Sequence, residues 1–75
     1  MRRYTLILIP DEEEGGFTVR VPALPGCTTE GDTLEEAITN AREAIIGWIA
    51  AAKTHGEAIP EETAPLQTIT IDVAA

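Results

Sequence analysis

The chain contains one cysteine, one histidine, and a single tryptophan, tyrosine and phenylalanine, and its cations number five against thirteen acids. Each shortage excludes something. One cysteine, Cys27, cannot build an internal disulfide framework or a multi-cysteine metal site, and it suits a reducing compartment. A net charge of −8 leaves Arg2, Arg3, Arg20, Arg42 and Lys53 to oppose phosphate repulsion, so direct binding to nucleic acid is not expected. A basic protein is the natural partner for such a surface. With aromatics at 4%, the core has to be aliphatic. Near the N-terminus the apolar run Leu6 to Ile9 stops at Pro10, too short for a signal core or for the ~20 residues of a membrane span. The expected location is the cytoplasm, with no membrane contact.

What the chain does have is hydrophobic content of 44% in 75 residues, too rich for disorder and enough for one domain spanning residues 1–75. From Arg3 to Ile9 the residues suit a strand that is apolar on both faces, with Tyr4, Leu6 and Leu8 on one side and Thr5, Ile7 and Ile9 on the other. Pro10 to Gly16 is a turn by composition. Phe17 to Val21 alternates cleanly and completes a hairpin, and Cys27 to Glu30 follows as a short third strand after Pro22, Pro25 and Gly26 redirect the chain. Thr33-Leu34-Glu35-Glu36 is a capping box, in which the Thr33 hydroxyl accepts from the N–H of residue 36 and the Glu36 carboxylate reaches back to the N–H of Thr33. The helix it opens runs to about His55 with Leu34, Ala37, Ile38, Ala41, Ile45, Trp48, Ile49 and Ala52 on one stripe, and Gly56 stops it. Leu66 to Val73 alternates again and predicts a fourth strand, with Ile69, Ile71 and Val73 inward.

The expected class is therefore α+β, in the order β-β-β-α-β. Three antiparallel strands and a right-handed crossover through the helix predict a four-stranded mixed sheet of order 3-2-1-4 with the helix on one face. The other face, bearing Thr5, Ile7 and Ile9, has no second layer in this chain and is expected to be buried against another molecule.

The stretch Pro22 to Ala37, PALPGCTTEGDTLEEA, closely resembles the signature of HicB-like antitoxin domains, usually a form of P-D-L-P-G-C-x-(S/T)-x-G-x-T-x-E-E-A. Pro22, Pro25, Gly26, Cys27, Gly31, Thr33 and Glu36 carry the match; Ala23 departs from it, where the family commonly has Asp. Tyr4 in the first strand, the acidic Gly-Gly hairpin Asp11 to Gly16, the aliphatic helix and the Gly-x-x-Ile-Pro close at Gly56 to Pro60 extend the resemblance over nearly the whole chain. It implies a partial RNase H-like fold, membership of a type II toxin–antitoxin pair, and binding to a small basic HicA toxin, an mRNA-cleaving ribonuclease whose catalytic surface is occluded. Family members also carry a C-terminal DNA-binding segment; with the chain ending at Ala75, operator binding is not expected here.

The acidic residues Asp11, Glu12, Glu13 and Glu14 are the candidate partner-binding residues, steering a basic toxin, although a charged hairpin tip also serves solubility alone. Ile46 lies off the helix stripe, as isolated surface apolar residues often do. No catalytic residue, metal or cofactor is expected. A metal-dependent nuclease of the RNase H type needs clustered carboxylates including one on the first strand, which has none. Cys27 beside His55 is better read as a small buried hydrophobe and a helix-terminal cation than as a nucleophile and base. A toxin-neutralising binding module is the favoured expectation; an orphan domain of the same type that self-assembles, as a homodimer or a higher even-numbered oligomer, is the alternative, and an enzyme is the third.

Overall fold

A computed structural model describes residues 1–62 and 66–75. Among these residues three strands and one helix are formed: β1 (Ile7–Pro10), β2 (Phe17–Arg20), β3 (Thr28–Gly31) and α1 (Leu34–Thr54). The sheet is antiparallel throughout in the order β1-β2-β3, with Leu8 opposite Val19 and Val19 opposite Thr29. This corrects the expected β-β-β-α-β domain with its mixed sheet of order 3-2-1-4. Leu66–Val73, expected as strand four, belongs to no strand, and Ile69, Ile71 and Val73 are 80%, 73% and 75% exposed. Period-two alternation shows that a segment suits a sheet face; it does not name the sheet edge that receives it. The first strand is also shorter than expected. β2 ends at Arg20 and Pro22 turns the chain away, so the residues before Ile7 have no opposing strand.

The helix packs across β2 and β3. At its N-terminus Thr33 is extended (φ −126°, ψ 165°) and its hydroxyl accepts from the Glu36 N–H at 3.1 Å. The return bond differs in detail from expectation: the Glu36 carboxylate accepts from the N–H of Asp32, at 3.4 Å, rather than from that of Thr33. Helix and sheet meet through small residues. Ala37 and Ala41 are fully buried against Val19, and a Cβ added at Gly31 would stand 2.6 Å from the Cα of Ala37, so glycine there sets how closely the helix approaches β3. At the far end His55 caps the helix and Gly56 takes φ +68°.

A second core cluster holds the signature loop. Val21, Leu24 and Cys27 are buried, with Tyr4, Leu6, Ala44, Ile45 and Trp48 packed around them. Val21 and Cys27 are joined by the Val21 N–H donating to the Cys27 carbonyl, while Leu24 donates to Val21 and Cys27 donates to Leu24, each at 3.0 Å. Gly26 supplies the positive φ, +76°, that this turn requires. The Trp48 indole N–H then donates to the Pro25 carbonyl at 2.9 Å, and the Tyr4 hydroxyl donates to the Pro60 carbonyl at 2.6 Å. The signature residues Pro22, Pro25, Gly26 and Cys27 thus build a folded loop that is fastened to the helix.

Candidate functional site

The acidic hairpin is a rigid turn rather than a loose tip. The Asp11 carboxylate accepts from the N–H groups of Glu13 (3.0 Å) and Glu14 (3.1 Å), and the Gly15 N–H donates to the Asp11 carbonyl at 2.9 Å. Gly15 and Gly16 both adopt φ +79°, and at Gly16 a side chain would also meet the Gly31 carbonyl oxygen at 2.6 Å. The four acids expected to act alike therefore divide. Asp11 shapes the turn, as an Asx residue does, while Glu12, Glu13 and Glu14 project into solvent.

Pairing of β2 with β3 puts a second acidic group beside this turn. Phe17 stands opposite Gly31 and Thr18 opposite Glu30, which carries the end of β3 and the start of the helix alongside the hairpin. A shallow groove of about 380 Å³ lies between them, and Asp11, Glu14, Glu30, Asp32 and Glu36 contribute its carboxylates. The Asn40 side chain fixes one wall by donating to the Glu30 carbonyl at 2.8 Å. Sequence reading identified the hairpin but gave Glu36 only a capping role and missed Glu30 and Asp32. The signal that would find them is the register, since Thr18 lies one residue beyond Phe17 on the hairpin's second strand. With Glu12 and Glu13, seven of the thirteen acidic residues occupy this end of the molecule.

Chemically the groove is suited to cationic side chains. Among the described residues no group of three or more His, Cys, Asp or Glu is placed to hold a metal ion. Cys27 is buried and burial pushes its thiol up from the ordinary value of 9.0, which favours the protonated, unreactive form. Its exposed former candidate partner, His55, caps the helix. Ile46, on the helix, is 63% exposed. No helix among the described residues is long and apolar enough to cross a membrane.

The described residues form a small α+β domain with one strongly acidic end and a tryptophan-fastened Pro-Gly-Cys loop, and comparison with known proteins places it more closely. A family model described as the HicB-like antitoxin of bacterial toxin–antitoxin systems matches residues 4–73. The chain belongs to the HicB-like antitoxin family. It is 46% identical over 67 residues to a UPF0150 protein of Thermoplasma acidophilum, covering 89% of this chain and 96% of that protein. A UPF0150 protein of Synechocystis sp. is 35% identical over 72 residues, 96% of this chain and 97% of its own length. A protein named Antitoxin HicB 1 from Photorhabdus laumondii is 48% identical over 44 residues, which is 59% of this chain and 28% of that longer protein. The toxin–antitoxin assignment thus meets the residues first quoted for it, Pro22 to Ala37, and the family's role makes a toxin the general class of partner.

Proposed function

We propose that this chain neutralises a small basic HicA-type ribonuclease in the cytoplasm by binding over its catalytic surface. The observation that carries the reading is the acidic groove, in which the carboxylates of Asp11, Glu14, Glu30, Asp32 and Glu36 lie together beside a hydrogen-bonded turn in a chain of antitoxin type. An enzyme that binds RNA needs a basic surface for phosphate, and a groove lined by carboxylates competes for that surface by charge complementarity. The protein's part is binding and requires no cofactor.

The test uses Glu12→Gln, Glu13→Gln and Glu14→Gln together with Glu30→Gln. None of these carboxylates is needed for the Asx turn or the helix cap, so the fold is preserved while the field is weakened. Surface charges chiefly set association rate and its salt dependence, and desolvated contacts chiefly set dissociation. Association with the product of a neighbouring small basic reading frame is therefore slowed at low salt, roughly tenfold or more, with dissociation nearly unchanged. Co-expression supplies the functional readout. If the neighbour is toxic and this chain neither restores growth nor co-purifies with it, the reading fails.

A further inference from the structure

The helix covers one face of the sheet. Val19 is fully buried against Ala37 and Ala41, so its strand neighbours Thr18 and Arg20 stand on the opposite face. Directly opposed residues share a face. The pairing of Ile9 with Thr18 and of Thr18 with Glu30 therefore lays these three in one row across the sheet, with Ile7, Arg20 and Thr28 as the next row. Ile7 is half-buried and the other five are exposed. Among the large apolar side chains of the three strands, Ile9 alone is exposed, at 46%.

The first row runs into the acidic groove. Thr18 and Glu30 line that groove, and Ile9 stands two strand spacings from Glu30, about 10 Å. A protein that seats cations among the groove carboxylates and continues that far across the sheet has Ile9 beneath it. An apolar contact closed off from water by a charged rim is the arrangement that slows dissociation. Charge selects the occupant. A second copy would bring another chain of −8 to the end that already holds seven acidic residues, whereas a basic protein is drawn to it. Arg20 in the next row repels a basic surface and bounds the footprint on that side.

We infer that the basic partner extends from the acidic groove onto the open sheet face along Glu30, Thr18 and Ile9, and that Ile9 is the apolar anchor that holds the complex once charge has formed it. The partner surface this fits is an apolar patch rimmed by lysine or arginine. The inference rests on the toxin-binding reading and adds to it the contact that governs dissociation.

Binding kinetics with the product of the neighbouring small basic reading frame test this on the full chain. The variant is Ile9→Thr, which keeps β-branching and trims apolar area, and Ile46→Thr on the helix is the control for loss of an exposed isoleucine. Circular dichroism establishes that both are folded. Ile9→Thr should leave the complex about tenfold faster with its association rate unchanged, while Ile46→Thr leaves at the original rate. On the original chain, with isoleucine methyl groups labelled, the Ile9 resonance should shift on titration and that of Ile46 should not. If the basic product does not associate with the original chain, the toxin-binding reading fails and takes this inference with it. If it associates but Ile9→Thr dissociates at the original rate, or Ile46→Thr dissociates as fast as Ile9→Thr, or the Ile9 methyl resonance stays in place, this inference alone is overturned. A dimer of the chain by itself in light scattering, made monomeric by Ile9→Thr, would give the face to a second copy and overturn it too.

Discussion

Replacing Gly31 by alanine places a methyl group where the helix main chain already is. The new Cβ would lie 2.6 Å from the Cα of Ala37 and 2.9 Å from the carbonyl carbon of Glu36, against 3.4–4 Å for ordinary contact. Both obstacles are backbone, so no rotamer change relieves them, and the first turn of α1 must retreat by roughly an ångström. Overpacking of this kind costs about 1–3 kcal/mol. The retreat also pulls the Glu36 N–H away from the Thr33 hydroxyl, which removes up to about 1 kcal/mol of capping. A combined loss near 3 kcal/mol is large beside the roughly 4–11 kcal/mol expected for a 75-residue chain. At about 4–8 °C per kcal/mol, Tm should fall by roughly 12–24 °C.

Gly47 provides the internal control. It lies within the same helix, is exposed, and a Cβ there meets nothing within 4 Å. Gly47→Ala should therefore stabilise by about 1 kcal/mol through helix propensity alone and raise Tm by about 4–8 °C. Thermal melts followed by circular dichroism read both substitutions. The reasoning is refuted if Gly31→Ala melts with the unsubstituted chain, or if Gly47→Ala loses as much as Gly31→Ala.

Thr33→Ala removes one hydrogen bond at the helix start and should cost about 1 kcal/mol in denaturant titration, with Thr33→Ser recovering most of it. The Cys27 thiol should be alkylated more slowly in the folded chain than in denaturant at the same pH, which a mass-spectrometric time course measures. Because burial raises the folded pKa above 9.0, the folded state holds the thiol proton longer than the unfolded chain. The resulting stability is present in full below the ordinary thiol range and declines as pH rises through it toward the folded value, so denaturant midpoints of the unsubstituted chain should fall more steeply there than those of Cys27→Ala.

Local chemistry was legible in the sequence where one short segment decides the outcome. Thr33 and Glu36 announce the helix start because capping needs only residues within one turn, and Phe17, Val19 and Val21 announce an inward face because alternation is local. Two features were not legible. The acidic groove depends on Thr18 facing Glu30, a matter of register between strands separated by a loop, so Glu30 and Asp32 looked like ordinary surface acids. The fourth strand failed for a related reason. Ile69, Ile71 and Val73 display a strand's pattern, but the pattern holds no record of which edge accepts it, and among the described residues none does.

The hydrogen bond from Trp48 to the Pro25 carbonyl also gives the molecule a built-in optical gauge. The chain has one tryptophan, so its intrinsic emission comes from a single place, the seam where the signature loop meets the middle of the helix. Loosening of that seam should redden and quench the emission even while the helix keeps its ellipticity. Events confined to the far acidic end should leave it unchanged. A fluorescence change on adding a partner would therefore mean that binding strains the loop fastening, and a silent titration that the partner is received without it.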